Sequence, residues 1–332
     1  MAARILVIRF SSIGDILLTT PVLRCISRQF EGGAEIHYLT KQSYREVIEG
    51  NPYVHQLHTI NESVQEVLPE LEKIGFDYII DLHRNIRTSI IRRRLKLITF
   101  SLNKMNFRKW CMVNVPFYHG EVPHIVVRYL DTLKTFGVTD DGGGLDYVVA
   151  ASASARMMEA RLLPEGPFVA WSIGGAHAGK RMGTAGVIAV LKKTMVPVVL
   201  LGGKAESEMG RQIQEAIPQV INLSGQLSLS ESAAVLQRAA VVVSGDTGLM
   251  HLAAALSRPM VSLWGCTTPS LGMSAWRPHP ESIILEPSDR RRRPCSKLGN
   301  RCKYGSERCI DHLKSDEVVS AIEKLWALQT MP

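Results

Sequence analysis

Residues 1–26 read MAARILVIRFSSIGDILLTTPVLRCI. Ile5 to Phe10 is a short apolar run, Ser11-Ser12-Ile13-Gly14 is a small-residue turn, and Ile16 to Ile26 is again apolar. That order is strand, tight loop, helix, the unit from which open α/β sheets are built and the place where they bind phosphate groups. The loop ends in Asp15. A carboxylate repels phosphate, so Asp15 calls for a role other than phosphate binding; capping the helix is the plainest alternative.

The strand–helix rhythm continues from there. Strands are expected at Glu35–Thr40, Gln56–Ile60, Tyr78–Leu82 and Leu97–Phe100, with helices over Val64–Ile74 and Asn85–Leu95. Strands separated by helix-length segments pair in parallel. His124–Phe136 reads as one amphipathic helix with Val127, Leu130 and Leu133 on its apolar face. Asp140-Asp141-Gly142-Gly143-Gly144, the small and polar Ala150–Ala155, and Leu163-Pro164-Glu165-Gly166-Pro167 break the pattern. The rhythm then restarts, with strands at Phe168–Ser172, Val196–Leu201, Val220–Leu223, Ala240–Ser244 and Met260–Trp264. Helices fit Thr184–Thr194, Glu206–Ala216, Ser230–Gln237, Leu249–Leu256 and, last, Asp316–Leu328. The expectation is α/β with two Rossmann-like domains facing across a cleft, residues 1–160 and 161–332, and a C-terminal helix. Ligands of such sheets bind beyond the carboxyl ends of the strands.

The 332 residues are too many for one core, and 45% hydrophobic with 21% charged content is ordinary for a soluble protein. Uninterrupted apolar runs stay too short for a membrane span, and the N-terminal run is too short for a signal peptide, so the cytoplasm is the expected compartment. A net charge of +8 suggests an anionic partner. The charge is bunched at Arg92–Arg94 and at the unbroken run Arg290–Arg293. Cys25, Cys111 and Cys266 sit in apolar contexts and read as core thiols. Cys295, Cys302 and Cys309 are spaced seven apart in a polar loop without a CxxC pair. A metal site there would need His312 as fourth ligand; free thiols or a labile disulfide are the alternatives.

Four strand-end loops carry candidate chemistry. Val241 to Ser244 turns through Gly245-Asp246-Thr247-Gly248 into an Ala-rich helix. Its backbone N–H groups and helix dipole favour an anion, Thr247 adds a hydroxyl, and His251 lies one turn on; an Asp N-cap and a core histidine would explain the same residues. The segment Ser172-Ile173-Gly174-Gly175-Ala176-His177-Ala178-Gly179-Lys180-Arg181 offers small residues and then two cations, which suits a diphosphate. In Gly202-Gly203-Lys204-Ala205-Glu206, the acid could accept from a ribose or base. Asp81-Leu82-His83-Arg84-Asn85-Ile86-Arg87 puts polar groups at another strand end.

Taken together these loops resemble the ADP-heptose:lipopolysaccharide heptosyltransferases, glycosyltransferase family nine. The matching pieces are Arg9-Phe10-Ser11-Ser12-Ile13-Gly14-Asp15 with the following Thr-Pro, Lys180-Arg181, and Ser244 to Ala255. The resemblance implies a glycosyltransferase-B (GT-B) architecture, with the acceptor on the first domain and the nucleotide sugar on the second. It implies inverting transfer of heptose from an ADP-heptose donor to a Kdo or heptose hydroxyl of nascent lipopolysaccharide core, on lipid A, at the inner face of the inner membrane of Gram-negative bacteria. Asp15 becomes the general base for the acceptor hydroxyl, on the face opposite the leaving group. Lys180 and the amides at Asp246–Gly248 become the stabilisers of departing ADP. Donor contacts are expected at Gly175, Ala176, Lys180, Arg181, Glu206, Asp246, Thr247, Gly248 and His251, and acceptor contacts at Ser12, Gly14, His83, Arg87 and Arg128. The sequence holds no Asp-x-Asp pair, so neither a catalytic metal nor any other cofactor is expected. Arg92–Arg94 are candidates to face the anionic acceptor or membrane.

The competing readings are the same donor with a protein or other glycan acceptor, a GT-B nucleotide-sugar epimerase, and a non-catalytic binder of nucleotide sugar or nucleic acid. Nucleic acid is not expected, because the chain lacks a basic stretch interleaved with aromatic residues.

Overall fold

The computed structural model describes residues 2–115, 117–118 and 120–330. The chain forms two compact units, one built from residues up to Lys104 together with Pro123–Val148, the other from Met105–Val122 and Val149 onward. In the first, strands β1 (Ala3–Ile8), β2 (Ala34–Lys41), β3 (Gln56–Ile60), β4 (Tyr78–Asp81) and β5 (Ile98–Ser101) form one parallel sheet in the order β3-β2-β1-β4-β5. Its helices are α1 (Ile13–Leu17), α2 (Thr20–Gln29), α3 (Leu68–Ile74), α4 (Ile86–Leu95) and, after α5 (Asn106–Asn114) of the second unit, α6 (Ile125–Leu130). Leu6 and Ile8 of β1 pack under Leu68, Leu71 and Ile91, while Ile5 and Val7, on the opposite face, are equally buried. A parallel sheet covered on both faces explains why β1 reads as a continuous apolar run rather than an alternating one.

The second unit opens with α7 (Ala151–Glu159) and repeats the architecture. Its elements are β6 (Val169–Ser172), α8 (Thr184–Leu191), β7 (Val198–Leu201), α9 (Ser207–Ala216), β8 (Ile221–Asn222), α10 (Leu229–Arg238), β9 (Val241–Gly245), α11 (Gly248–Ala255), β10 (Met260–Leu263), β11 (Ile283–Leu285) and α12 (Ser315–Thr330). The parallel order is β11-β10-β9-β6-β7-β8. Val169, Trp171, Val241 and Val243 share a core with Val318, Ile322 and Leu325, so the terminal helix covers this sheet.

Several expectations change in detail. Ala150–Ala155 is not a linker: α7 buries Ala153 and Met157, packs on α10, and joins it through an Arg156–Glu231 ion pair of 2.8 Å. Residues 149–160 therefore cluster with the second unit, and so do residues 105–122, although both segments are expected in the first domain, 1–160. The Val64–Ile74 helix is split into a 3-10 turn, Val64–Glu66, and α3, which restarts with Pro69 in its first turn. Proline lacks the N–H an uninterrupted helix needs and is favoured at a helix start. His124–Phe136 becomes α6 followed by a 3-10 segment, Asp131–Phe136, where Thr132 Oγ1 donates to the Tyr129 carbonyl at 2.6 Å. Its buried face is Val126, Tyr129, Leu130 and Leu133, while Val127 is exposed. The Asp140–Gly144 break grips Arg24 of α2: Asp141 and the Gly144 carbonyl accept from it at 2.7 and 2.9 Å, and Asp146 pairs with it as well. Among the described residues, no helix is long and apolar enough to cross a membrane.

Candidate functional site

In each sheet the strand order reverses direction between two strands, β1 and β4 in the first unit and β6 and β9 in the second. Beyond the carboxyl ends of such a pair lies the crevice in which open α/β sheets take ligands. The sequence-predicted residues gather there. Asp15 follows β1 and His83 follows β4; Lys180 follows β6, and Asp246, Thr247 and Gly248 follow β9.

Asp15 is the third residue of the five-residue α1. Its Oδ2 accepts from Ser12 N at 3.2 Å and from Ser12 Oγ at 2.9 Å, which satisfies the open N-terminus of the helix. Its Oδ1 lies 2.7 Å from Arg9 Nη2. Arg9 is itself fixed: Nε donates to the Ser11 carbonyl at 2.8 Å and Nη1 to the Leu82 carbonyl at 2.7 Å, and its guanidinium lies 6.0 Å from the Tyr129 ring centre. Burial pushes the Asp15 carboxyl up, but the Arg9 charge and the Ser12 hydrogen bonds outweigh burial and hold it below the ordinary carboxylate range. Asp15 is thus a fixed, ionised carboxylate with a side chain still 24% exposed.

Around it sits an incompletely satisfied polar set. His83 packs edge-on against Phe10, with ring centres 5.4 Å apart. Burial, followed by the charges of Arg9 and Lys104, pushes His83 down to about 3, so the ring is neutral near pH 7. Arg128 is 1% exposed, with Nε donating to the Pro123 carbonyl at 3.0 Å and Nη1 to Asn103 and Lys104 carbonyls at 3.3 Å. His83 Nδ1, Tyr129 Oη and Arg128 Nη2 are buried with no hydrogen-bond partner among the described residues. Buried polar atoms are rarely left unpaired, and each of these three belongs to a side chain within the electrostatic reach of Asp15. Arg87 is exposed on α4 and Gly14 is buried in α1. The basic run of α4 is largely engaged: Arg92 donates to Ser101 Oγ at 2.9 Å and lies 3.6 Å from Asp81, and Arg94 pairs with Glu72.

In the second unit Lys180 ends a 3-10 turn, Ala178–Lys180, and its Nζ lies 2.7 Å from Asp246 Oδ2. Thr267 Oγ1 donates to the same oxygen at 2.9 Å. Asp246 therefore does not cap α11; Thr247 occupies the N-cap position, and Asp246 orients Lys180. The backbone of Lys180 passes so close over the end of β9 that a Cβ on Gly245 would lie 2.0 Å from the Lys180 carbonyl oxygen, which only glycine avoids. Gly175 lies against Thr247 and Arg181. Arg181 Nη1 pairs with Glu206 Oε1 at 2.7 Å, and Glu206 Oε2 accepts from Gly203 N at 3.0 Å. Glu206, only 7% exposed, is held by protein groups on both oxygens. Ala176 is exposed, whereas His251 is buried within α11 at 2% exposure. What converges at this switch point is an ammonium, small-residue backbone and a helix N-terminus, the elements of an anion site.

The sequence places Arg9 in the motif that carries the resemblance but gives it no role, and it does not point to Tyr129 or Thr267. Arg9 carries the one available signal, a cation inside an otherwise apolar strand end; Tyr129 and Thr267 acquire their places only through tertiary packing.

Two parallel α/β units, each with a polar cluster at its switch point, define the GT-B class. The family model for glycosyltransferase family 9 (heptosyltransferase) matches residues 65–303, which include Lys180-Arg181 and Ser244 to Ala255. Lipopolysaccharide heptosyltransferase 1 of Campylobacter coli is 23% identical over 295 residues, covering 80% of this chain and 84% of that protein. Among solved structures, a glycosyl transferase family 9 protein from Veillonella parvula aligns with a TM-score of 0.80 at 24% identity, covering 98% of both chains. The ADP-heptose lps heptosyltransferase II of E. coli aligns with a TM-score of 0.74 at 17% identity, covering 99% of this chain and 100% of that one. The chain belongs to glycosyltransferase family 9, the heptosyltransferases, and is a glycosyltransferase.

Proposed function

We propose that this enzyme transfers heptose from ADP-heptose to a sugar hydroxyl of the lipopolysaccharide inner core, with inversion at the anomeric carbon. The observation that carries the reading is Asp15: an ionised, rigidly held carboxylate at the switch point, next to three buried polar atoms with no partner among the described residues. His83, Tyr129 and Arg128, with Ser12, Gly14 and exposed Arg87, form the acceptor site. Asp15 takes the proton of the attacking hydroxyl as the glycosidic bond forms. Its depressed pKa makes it a weak base, which suits a step in which the proton becomes acidic only as the new C–O bond develops. On the second unit Lys180 and the amides of Thr247 and Gly248 take the charge arriving on the ADP diphosphate. Asp246 aims Lys180, and Glu206 with Arg181 shapes the wall beside Gly175 and Ala176. Buried His251 supports the helix. Lys180 provides the positive charge that a divalent ion supplies in other glycosyltransferases. The ADP-heptose in the name of the E. coli structural relative supports this choice of donor.

A panel of ADP-, UDP- and GDP-sugars, scored for nucleoside diphosphate release with and without a Kdo-lipid acceptor, tests the reading. Acceptor-dependent release is expected from ADP-heptose, unchanged on adding Mg²⁺ or Mn²⁺. Faster release from a UDP- or GDP-sugar would overturn the donor assignment; release of equal size with and without acceptor would overturn the transferase step; and dependence on Mg²⁺ would overturn the role given to Lys180.

We also propose that the enzyme works at the cytoplasmic face of the inner membrane, docked through α5 and Phe117 just beyond it rather than through the basic run of α4. Phe107 is 78% exposed, Trp110 56% and Phe117 92%, with exposed Arg108 alongside. Aromatic rings beside a cation suit the boundary between headgroups and acyl chains of an anionic bilayer. Sedimentation with phosphatidylglycerol-rich vesicles is expected to carry the protein down, and the Phe107→Ser/Trp110→Ser double variant is expected to stay in solution while retaining its melting temperature. Equal sedimentation of both would rule this surface out.

A further inference from the structure

Four cysteines that the sequence scatters over 44 positions meet at one point: Cys266 just beyond β10, Cys295 and Cys302 in the loop that follows β11, and Cys309 at the turn before α12. Their Sγ atoms all lie within 4.8 Å of one another. Cys295 is 3.4 Å from Cys309 and 3.9 Å from Cys302, and Cys302 is 3.6 Å from Cys309. Cys266, Cys295 and Cys309 are buried and Cys302 half-buried.

Three explanations compete for such a cluster. Disulfides would draw the sulfurs into pairs at about 2.0 Å, whereas these converge on a common centre. A multi-iron cluster would hold its thiolates apart around several metal atoms, and this set is too narrow. A single ion with metal–sulfur bonds of about 2.3 Å in tetrahedral geometry sets its ligand sulfurs about 3.8 Å apart, and the three measured separations bracket that value. His312, the fourth ligand expected from the sequence, is turned away, with Nδ1 3.0 Å from Asp289 Oδ2; Cys266 takes that place.

We propose that Cys266, Cys295, Cys302 and Cys309 hold one thiophilic metal ion, zinc or iron, in a closed tetrathiolate site. Each thiol releases its proton to solvent as its metal–sulfur bond forms. Four protein ligands leave no open coordination position, so the ion is structural. The surroundings accommodate its excess negative charge. Arg290 lies over the Tyr304 ring, 4.4 Å from its centre, and acts electrostatically on Cys309 while also pairing with Glu307; Arg293 Nε donates to the Gly265 carbonyl at 2.7 Å while its Nη2 pairs with Glu286. The Arg290–Arg293 run is thereby partly accounted for: the side chains of Arg290 and Arg293 are 11% and 7% exposed. The site also reaches the turn that carries Lys180. Cys266 N donates to the Gly179 carbonyl at 2.9 Å, Gly179 N donates to the Gly299 carbonyl at 3.2 Å, and a Cβ at residue 179 would lie 2.7 Å from Cys266 Sγ. The ion fastens the 295–309 loop to β10 and, through Gly179, fixes the backbone on which Lys180 stands.

The test uses the full chain, purified under reducing conditions without chelators. Elemental analysis is expected to find one zinc or iron per chain, and visible absorption distinguishes them, since an iron tetrathiolate is coloured and zinc is not. Cys302→Ser is expected to lower the metal content about tenfold, and Cys111→Ser, outside the cluster, to leave it unchanged. Should Cys302→Ser fail to fold, chelator-stripped wild-type protein titrated with Co²⁺ gives the same answer through the sulfur-to-cobalt charge-transfer bands of a tetrahedral thiolate site. Amide exchange at residues 178–181 is expected to accelerate in the stripped protein. Metal below about one ion per ten chains, with no cobalt thiolate bands, would overturn the site. Unchanged exchange at 178–181 in stripped protein would overturn its link to Lys180.

Discussion

Asp15→Asn is expected to lower kcat by ~10²–10⁴ while leaving the Kd for ADP-heptose within about twofold of the parent. The amide can still accept from Ser12, so α1 keeps its cap, but it cannot take a proton. The substitution has a second consequence. Arg9 has an 11% exposed side chain and loses its anionic partner, and an unpaired buried charge is destabilising. Some loss of melting temperature will therefore accompany the loss of turnover. Donor affinity separates the two effects, because the residues proposed to bind ADP lie in the other unit. The pH profile gives an independent check. The Arg9 charge and the Ser12 hydrogen bonds hold Asp15 below the ordinary carboxylate range despite its burial, so the base stays ionised as pH falls from 7 to 5. The acid limb of kcat/KM that belongs to this group is expected below the ordinary Asp value of about 3.9. Near-parental kcat in the folded Asn variant would remove Asp15 from the base role.

Lys180→Met is expected to reduce kcat/KM by ~10²–10³, the usual scale for removing one preorganised group that stabilises developing negative charge. The effect has two parts. The diphosphate loses a cation, and Asp246, 6% exposed and 2.7 Å from the missing ammonium, becomes an uncompensated carboxylate next to it. That repulsion makes a specific outcome testable. The double variant Lys180→Met/Asp246→Asn is expected to bind ADP more tightly than Lys180→Met alone, although it carries one more substitution. Strictly additive losses would mean that the Asp246 carboxylate does not face the donor, and unchanged ADP affinity in the single variant would separate Lys180 from the diphosphate altogether.

What could be read from the sequence was the part dictated by local pattern. Gln56–Ile60 is a strand at those bounds, and β1, β4, β6 and β9 lie within a residue or two of their expected limits, because apolar β-branched runs closed by small residues have few other solutions. The three-residue β11 was missed for the opposite reason: it is an edge strand whose pairing with β10 comes from tertiary context. In the first unit, the strand–turn–helix pattern located Asp15, but nothing local showed that Arg9 would turn back to pair with it. In the second, Lys180 and Asp246 both read as donor contacts; that one aims the other follows from a contact across 66 residues of sequence. Cys266 reads as a core thiol because its neighbours are apolar; the cysteines it meets in the fold lie 29 or more residues away. Arg128, expected at the acceptor, proves to be buried with backbone partners, leaving only Nη2 to offer.

The stereochemistry of the product tests the mechanism most directly. A single displacement in which Asp15 takes the acceptor proton and ADP leaves from the opposite side must invert the anomeric centre. NMR coupling at that carbon, compared between the ADP-heptose supplied and the sugar linked to the acceptor, is expected to show the opposite configuration. The same configuration in donor and product would contradict the account, because it requires either a covalent sugar–enzyme intermediate or attack from the leaving-group side, and neither gives Asp15 the work assigned to it.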